Sequence, residues 1–236
     1  MSPALATPTA TDAGRLIINF HGIGAPTAAA DALEQRYWCS QRVFEDVLDA
    51  TTAVTQDSGV PIEITFDDGN ASDLDLALPA LQQRGLTATF FVCAGRIGQP
   101  GYLDGSAVHE LLRAGMRIGS HGWGHVDWRR VDAATLQQET RGALDDLSSV
   151  AGCLVDEVGL PFGSYDRRVL AQLRRCAVRT VYSSDGGRAL PGTWLVPRLS
   201  YSSAWTAQTL RNAALQPVSG LARARRAAQS AFKRWR

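Results

Sequence analysis

The chain has 236 residues, 45% of them hydrophobic and 20% charged, and a formal net charge of +1. That length suits one sizeable domain or two small ones, and the near-neutral balance argues against a general nucleic-acid partner. The sequence holds no run of about 18 apolar residues, so no membrane-spanning helix is expected.

Residues 1–14 (MSPALATPTATDAG) have neither the basic nor the apolar region of a secretory signal and read as a flexible leader. Cys39, Cys93, Cys153 and Cys176 form no CxxC pair. They read as free thiols of a reducing compartment. With no signal visible, the cytoplasm is the expected location. Short apolar strands then alternate with longer amphipathic segments. Residues 15–22 (RLIINFHG) predict a strand, and 37–52 a helix with Phe44, Val47 and Leu48 at helical spacing. Further strands are expected at 61–68, 87–94, 117–121, 157–162, 179–184 and 194–201. Helices are expected from about 72, at 106–114, 133–150 and 167–176, and from about 204.

Seven strand-then-helix units with no break in composition imply a single α/β domain with parallel strands and crossover helices. His21, Asp67, Asp68, His121, His125, Asp185 and Arg198 all fall at strand ends, as does the Pro161-to-Gly163 loop. In a parallel barrel those ends gather on one rim, so the periodicity alone predicts one shared site.

Three motifs carry the chemistry. In SHGWGH (120–125), His121 and His125 stand four apart just past a strand. Imidazole nitrogens bind borderline divalent ions, and a helical turn lets both face one ion; two hydrogen-bonded rim histidines would give the same spacing. In ITFDDG (64–69), two adjacent carboxylates close an apolar strand. Neighbouring strand residues point to opposite faces, so both reach one site only where the chain bends, which Gly69 permits. Close carboxylates repel, and a cation between them resolves the conflict; a solvated turn is the other reading. In GLPFGSYD (159–166), Pro161 and Gly163 bracket Phe162 in a tight loop that can aim a backbone N–H at a developing oxyanion. His109 lies mid-helix and reads as a surface residue.

Together, TFDDG (65–69), SHGWGH (120–125), PFG (161–163) and the TATFFV strand (87–92) resemble the polysaccharide deacetylase family, the NodB-homology or carbohydrate esterase 4 group. The resemblance covers about residues 15–201. It implies a distorted seven-stranded (β/α) barrel over 15–215 and removal of an N-acetyl group from an amino sugar or glycan. It implies Asp67 as general base, with Asp68, His121 and His125 holding one divalent ion, zinc first and Co2+, Ni2+ or Mn2+ as substitutes. It also implies an oxyanion contact from the Phe162 N–H.

The sequence departs from the family pattern twice. Gly159 stands where members carry an arginine that positions the base, and LVPRLS (195–200) holds Arg198 where a late histidine acts as acid. INFHGIG (18–24) is similar to the early Tyr-His segment of permuted poly-N-acetylglucosamine deacetylases. On that similarity His21 is the expected general acid and Arg198 the partner that orients Asp67. Without an acid in reach, a carbohydrate O-acetyl esterase is the alternative; an inactive sugar-binding barrel is another. Trp123 and Tyr165, and with them Trp128 and Trp194, could stack on sugar or belong to the core.

The tail, 216–236, carries Arg223, Arg225, Arg226, Lys233, Arg234 and Arg236 and no acid from 221 on. Leu221, Ala224, Ala228, Phe232 and Trp235 recur at helical spacing. Such a segment packs its shallow stripe on the barrel or frays as a terminus, or it lies on an anionic membrane surface. In the last case the enzyme would work at the inner membrane face on a lipid-linked sugar; a nucleotide-linked sugar would need no such contact. Nothing in the sequence sets an oligomeric state.

Overall fold

The structure is a computed structural model that describes residues 14–26, 34–202 and 205–215, with residues 228, 231, 233 and 235. The leader, except Gly14, and most of the tail lie outside the described residues.

One sheet curls into a nearly closed barrel. Its strands are β1 (Arg15–Phe20), β2 (Ile62–Asp68), β3 (Ala88–Val92), β4 (Arg117–Ser120), β5 (Glu157–Gly159), β6 (Thr180–Ser183), β7 (Arg188–Ala189), β8 (Leu195–Pro197) and β9 (Leu199–Ser200). The order is β7-β1-β2-β3-β4-β5-β6-β8, and β9 pairs with β1. Pairing is parallel from β1 to β6 and on to β8, while β7 runs antiparallel to β1. The α/β barrel expected from the alternation is present, with two corrections at its end. A two-residue β7 was not foreseen, and the strand expected at 194–201 is split at Arg198. β8 bonds to β6, and β9 bonds to β1 across the gap. The split carries the chain from one edge of the barrel to the other and leaves the Arg198 side chain fully buried.

Helices on the outside end where their sequences dictate. In α1 (Gln41–Ser58), Ser40 accepts the Val43 N–H and Gly59 closes the helix in the left-handed conformation. Asp104 caps α3 (Gly105–Arg113) and Asp166 caps α6 (Arg167–Arg175) in the same way. The remaining helices include α2 (Leu78–Gln83) and α7 (Ala207–Leu215). The helix expected at 133–150 is interrupted: α4 (Ala133–Gln137) passes through a π turn at Gln138–Gly142 into α5 (Ala143–Ala151). Glu139 in that turn is buried. No helix among the described residues is long and apolar enough to cross a membrane.

Strand alternation sorts the barrel into two cores. Phe20, Phe66 and Phe90 face the helices and stack ring to ring at 5.5 and 4.6 Å. Ile17, Phe91, Tyr182, Ala189 and Val196 form a separate cluster inside. Burying each large side chain of this kind contributes about 1.5–3 kcal/mol. Two residues beyond Ile17 stands Asn19, opposite Thr65 in register, and two beyond Thr65 stands Asp67. The same period that fills the barrel with apolar side chains at one end therefore fills it with polar ones at the other.

Candidate active site

Asp67 and Asp68 both reach the rim because the strand period fails at its last residue. Asp68 has φ 78° and Gly69 φ 73°. A Cβ on Gly69 would lie 2.9 Å from Val92 Cγ1, so no larger residue fits the bend. His125 and Phe162 also have positive φ, both 56°. Three of the four non-glycine residues in that region, among the described residues, thus surround one cavity, the clustering expected of a strained functional site.

Asp67 is fixed on both oxygens. Arg198 donates to Oδ1 at 2.7 Å and to Oδ2 at 2.8 Å, and Asn19 Nδ2 donates to Oδ2 at 2.9 Å. Asn19 Oδ1 in turn accepts from Arg198 and from Thr65 Oγ1, each at 2.8 Å. The guanidinium rests over the rings of Phe91 and Tyr182 at 5.2 and 5.9 Å. Gly159 explains why the arginine comes from here. A Cβ at that position would already lie 3.0 Å from Phe91 and 3.3 Å from Asp67 Oδ1. Burial alone would raise the Asp67 pKa. The Arg198 guanidinium, by its charge and its hydrogen bonds, leads the opposing effects and holds the carboxyl well below the usual range.

Asp68 faces the histidines. His121 Nε2 lies 3.8 Å and His125 Nε2 3.4 Å from its Oδ1, and one donor atom from each of the three residues lies within 4.8 Å of the others. Asp68 Oδ1 is buried without a hydrogen-bond partner. A buried carboxylate oxygen facing two imidazole nitrogens fits a divalent cation, and a donor set of two imidazoles and one carboxylate suits zinc or a similar borderline ion. Burial pushes the His121 pKa down to about 4, against the pull of Asp67 and Asp68, so this ring is a neutral donor at ordinary pH. Its Nδ1 is 2.9 Å from the Gly159 carbonyl.

The cavity above these groups measures about 520 Å³ and is also lined by His21, Glu34, Arg36, Tyr37, Phe162, Asp185 and Trp205. His21 Nε2 is 4.0 Å from Asp67 Oδ2, and its ring stacks on Tyr37 at 4.7 Å. The exposed ring of Phe162 lies 4.6 Å from His125.

A model of the polysaccharide deacetylase family matches residues 55–181. The chain belongs to the polysaccharide deacetylase family. A chitin deacetylase from Pestalotiopsis sp is 31% identical over 110 residues, 47% of this chain and 37% of that protein. Two solved structures share the fold. The Streptococcus pyogenes deacetylase PplD, solved in complex with acetate, aligns at TM-score 0.74 and 18% identity over 88% of this chain and all of its own. IcaB from Ammonifex degensii aligns at TM-score 0.73 and 18% identity, covering 87% of this chain and 98% of its own. The chain spans 52% and 37% of the length of two curated relatives it matches.

Within the family frame, Asp67, Asp68, His121, His125, His21, Phe162 and Arg198 are brought to one cavity. The aromatic expectations need correction. Neither Trp123 nor Tyr165 is among the described residues that line it. Trp123 donates its indole N–H to Asp146, and Tyr165 is buried with its hydroxyl on Asp185. Trp128 is buried and donates to Glu139, while Trp194 donates to the Val178 carbonyl under Arg174. Among the described residues, the aromatic side chains that line the cavity are Tyr37, Phe162 and Trp205.

The sequence reading also missed four polar residues. Asn19 orients Asp67 as described. Glu139 accepts the N–H groups of Trp123 and Gly124 at 3.0 and 2.8 Å, pinning the loop between the two histidines. Glu34 and Arg96 stand behind His125. Of the tail, Lys233 pairs with Asp185 and lies over the Tyr165 ring, and Trp235 is exposed; the rest of its expected apolar stripe, apart from Ala228, lies outside the described residues.

Proposed function

We propose that this chain is a metal-dependent carbohydrate N-deacetylase that removes the acetyl group from an amino sugar in a glycan. The observation that carries the reading is the Asp68, His121 and His125 trio set beside a second carboxylate, Asp67, whose two oxygens Arg198 engages. One carboxylate is left to bind a cation and the other to move a proton. The kinship with a chitin deacetylase supports a glycan substrate, and Tyr37, Phe162 and Trp205 offer ring faces for sugar.

A divalent ion held by Asp68, His121 and His125 would polarise the acetyl carbonyl and lower the pKa of water at the site. Asp67, ionised at neutral pH and fixed in direction by Arg198 and Asn19, takes the proton from the attacking water. Phe162 lines the cavity, and its backbone N–H would support the oxyanion. His21 gives a proton to the departing nitrogen, which an amide requires because an amide anion leaves poorly.

Acetate release from N-acetylated glucosamine oligomers, measured with metal content, tests the reading. The wild type is expected to hold about one equivalent of ion, and His121→Ala to lose both ion and turnover. Full occupancy in His121→Ala would remove the ligand assignment. His21→Ala is expected to keep the ion and slow amide cleavage by roughly 10²-fold or more, with much less effect on an activated ester, whose leaving group needs no proton. Equal losses on both substrates would take the acid role away from His21.

A further inference from the structure

Both histidines turn Nε2 toward Asp68, so each must be held from behind through Nδ1. For His121 the holder is a backbone carbonyl, that of Gly159. For His125 it is a side chain: Glu34 Oε1 lies 3.2 Å from His125 Nδ1. The same oxygen accepts from Arg96 at 2.9 Å, and the Arg96 guanidinium rests over the Tyr102 ring at 4.9 Å. Glu34 comes from the turn Glu34–Tyr37, outside the 55–181 span that the family model matches.

We propose that Glu34 is a positioning residue of the metal centre, holding His125 with the proton on Nδ1 and the lone pair of Nε2 toward the ion, and that Arg96 holds Glu34 in place. The proposal rests on the reading that Asp68, His121 and His125 bind a divalent ion. A neutral imidazole has one protonated and one bare nitrogen, and only the bare one ligates. An acceptor at Nδ1 selects the ligating tautomer, and a carboxylate there also makes Nε2 a stronger donor. Glu34 is not itself placed as a ligand, because the imidazole ring stands between it and Asp68. Arg96 also approaches Nδ1, at 3.4 Å. A guanidinium can only donate, so with Nδ1 protonated both groups must share the Glu34 oxygen, which lies within 3.2 Å of each. His125 needs such a brace more than His121 does. It sits at positive φ on a loop, whereas His121 directly follows β4 and is more deeply buried.

Zinc affinity of the full chain, measured by competition with a chromophoric chelator, tests this in the wild type, Glu34→Ala and Glu34→Gln. Glu34→Ala is expected to bind zinc roughly 10–100-fold more weakly. Glu34→Gln keeps an oxygen acceptor and is expected to lose less. The absorption spectrum of the cobalt-loaded chain should keep its coordination number in both variants, and the metal-free Glu34→Gln chain, which keeps an oxygen for Arg96, should melt close to the wild type. Wild-type affinity in Glu34→Ala overturns the proposal. A changed coordination number overturns it too, by making Glu34 a ligand. A wild type that binds no zinc overturns the metal reading itself and this proposal with it.

Discussion

Asp67→Asn is expected to keep its full complement of divalent ion while turnover falls by roughly 10²–10⁴-fold, the range that positioned acid–base groups contribute. The two adjacent carboxylates do different work because different groups hold them. Asp67 has both oxygens engaged by Arg198 and Asn19, so it has no unengaged oxygen turned to the histidines. Asp68 keeps one buried oxygen without a hydrogen-bond partner, facing His121 and His125. Asparagine at 67 preserves volume and removes the proton acceptor. Asparagine at 68 removes a ligand, so Asp68→Asn is expected to lose the ion. Metal content by mass spectrometry and acetate release, measured on both variants, separate the roles. The reverse pattern would mean that the base and the ligand had been exchanged.

The parts of this site that were legible in the sequence are those that break a local pattern. Asp67 and Asp68 end an apolar strand, and His121 and His125 follow another; polar groups there stand out because strand ends on a parallel sheet converge. Arg198 was visible as a charge inside an apolar run, and its split strand was not, because the split is a demand of barrel closure rather than of local propensity. Asn19 could have been found by counting. It lies two residues after Ile17 and two before His21, on the inward register, and a polar residue there needs a partner. Glu139 carried no such signal. In a polar helix it reads as solvated, and only the π turn and the two N–H groups it caps reveal otherwise. Glu34 and Arg96 are 62 residues apart, in segments without periodicity, so nothing short of the fold could have joined them. Trp123 and Tyr165 misled for a simple reason. An aromatic residue near a motif need not face its cavity: the Trp123 indole turns to Asp146, and the Tyr165 ring is buried with only its hydroxyl reaching Asp185 at the cavity wall.

Arg198→Met is expected to destabilise the chain by about 3–5 kcal/mol, the cost of leaving one member of a buried ion pair behind. For a domain of this size that lowers the melting temperature by on the order of 10 °C. Methionine fills similar volume over Phe91 and Tyr182, so the loss reports the stranded Asp67 rather than a cavity. The pH dependence distinguishes the two. In the wild type the folded Asp67 pKa is depressed. Its contribution to stability is therefore complete above the unfolded value of about 3.9 and is lost as pH falls through the folded value. In Arg198→Met burial acts without its main opponent, and the folded pKa rises above the unfolded one. The penalty is then absent below about pH 4 and grows as pH rises toward the raised folded value. The melting-temperature gap between wild type and variant should accordingly widen from pH 4 to pH 7. Adding Asp67→Asn to Arg198→Met removes the stranded charge and should recover a large part of the lost stability, a coupling that independent sites would not show. A gap that stays constant with pH, together with strictly additive losses in the double variant, would mean that Arg198 supports the barrel by packing alone and that Asp67 does not depend on it.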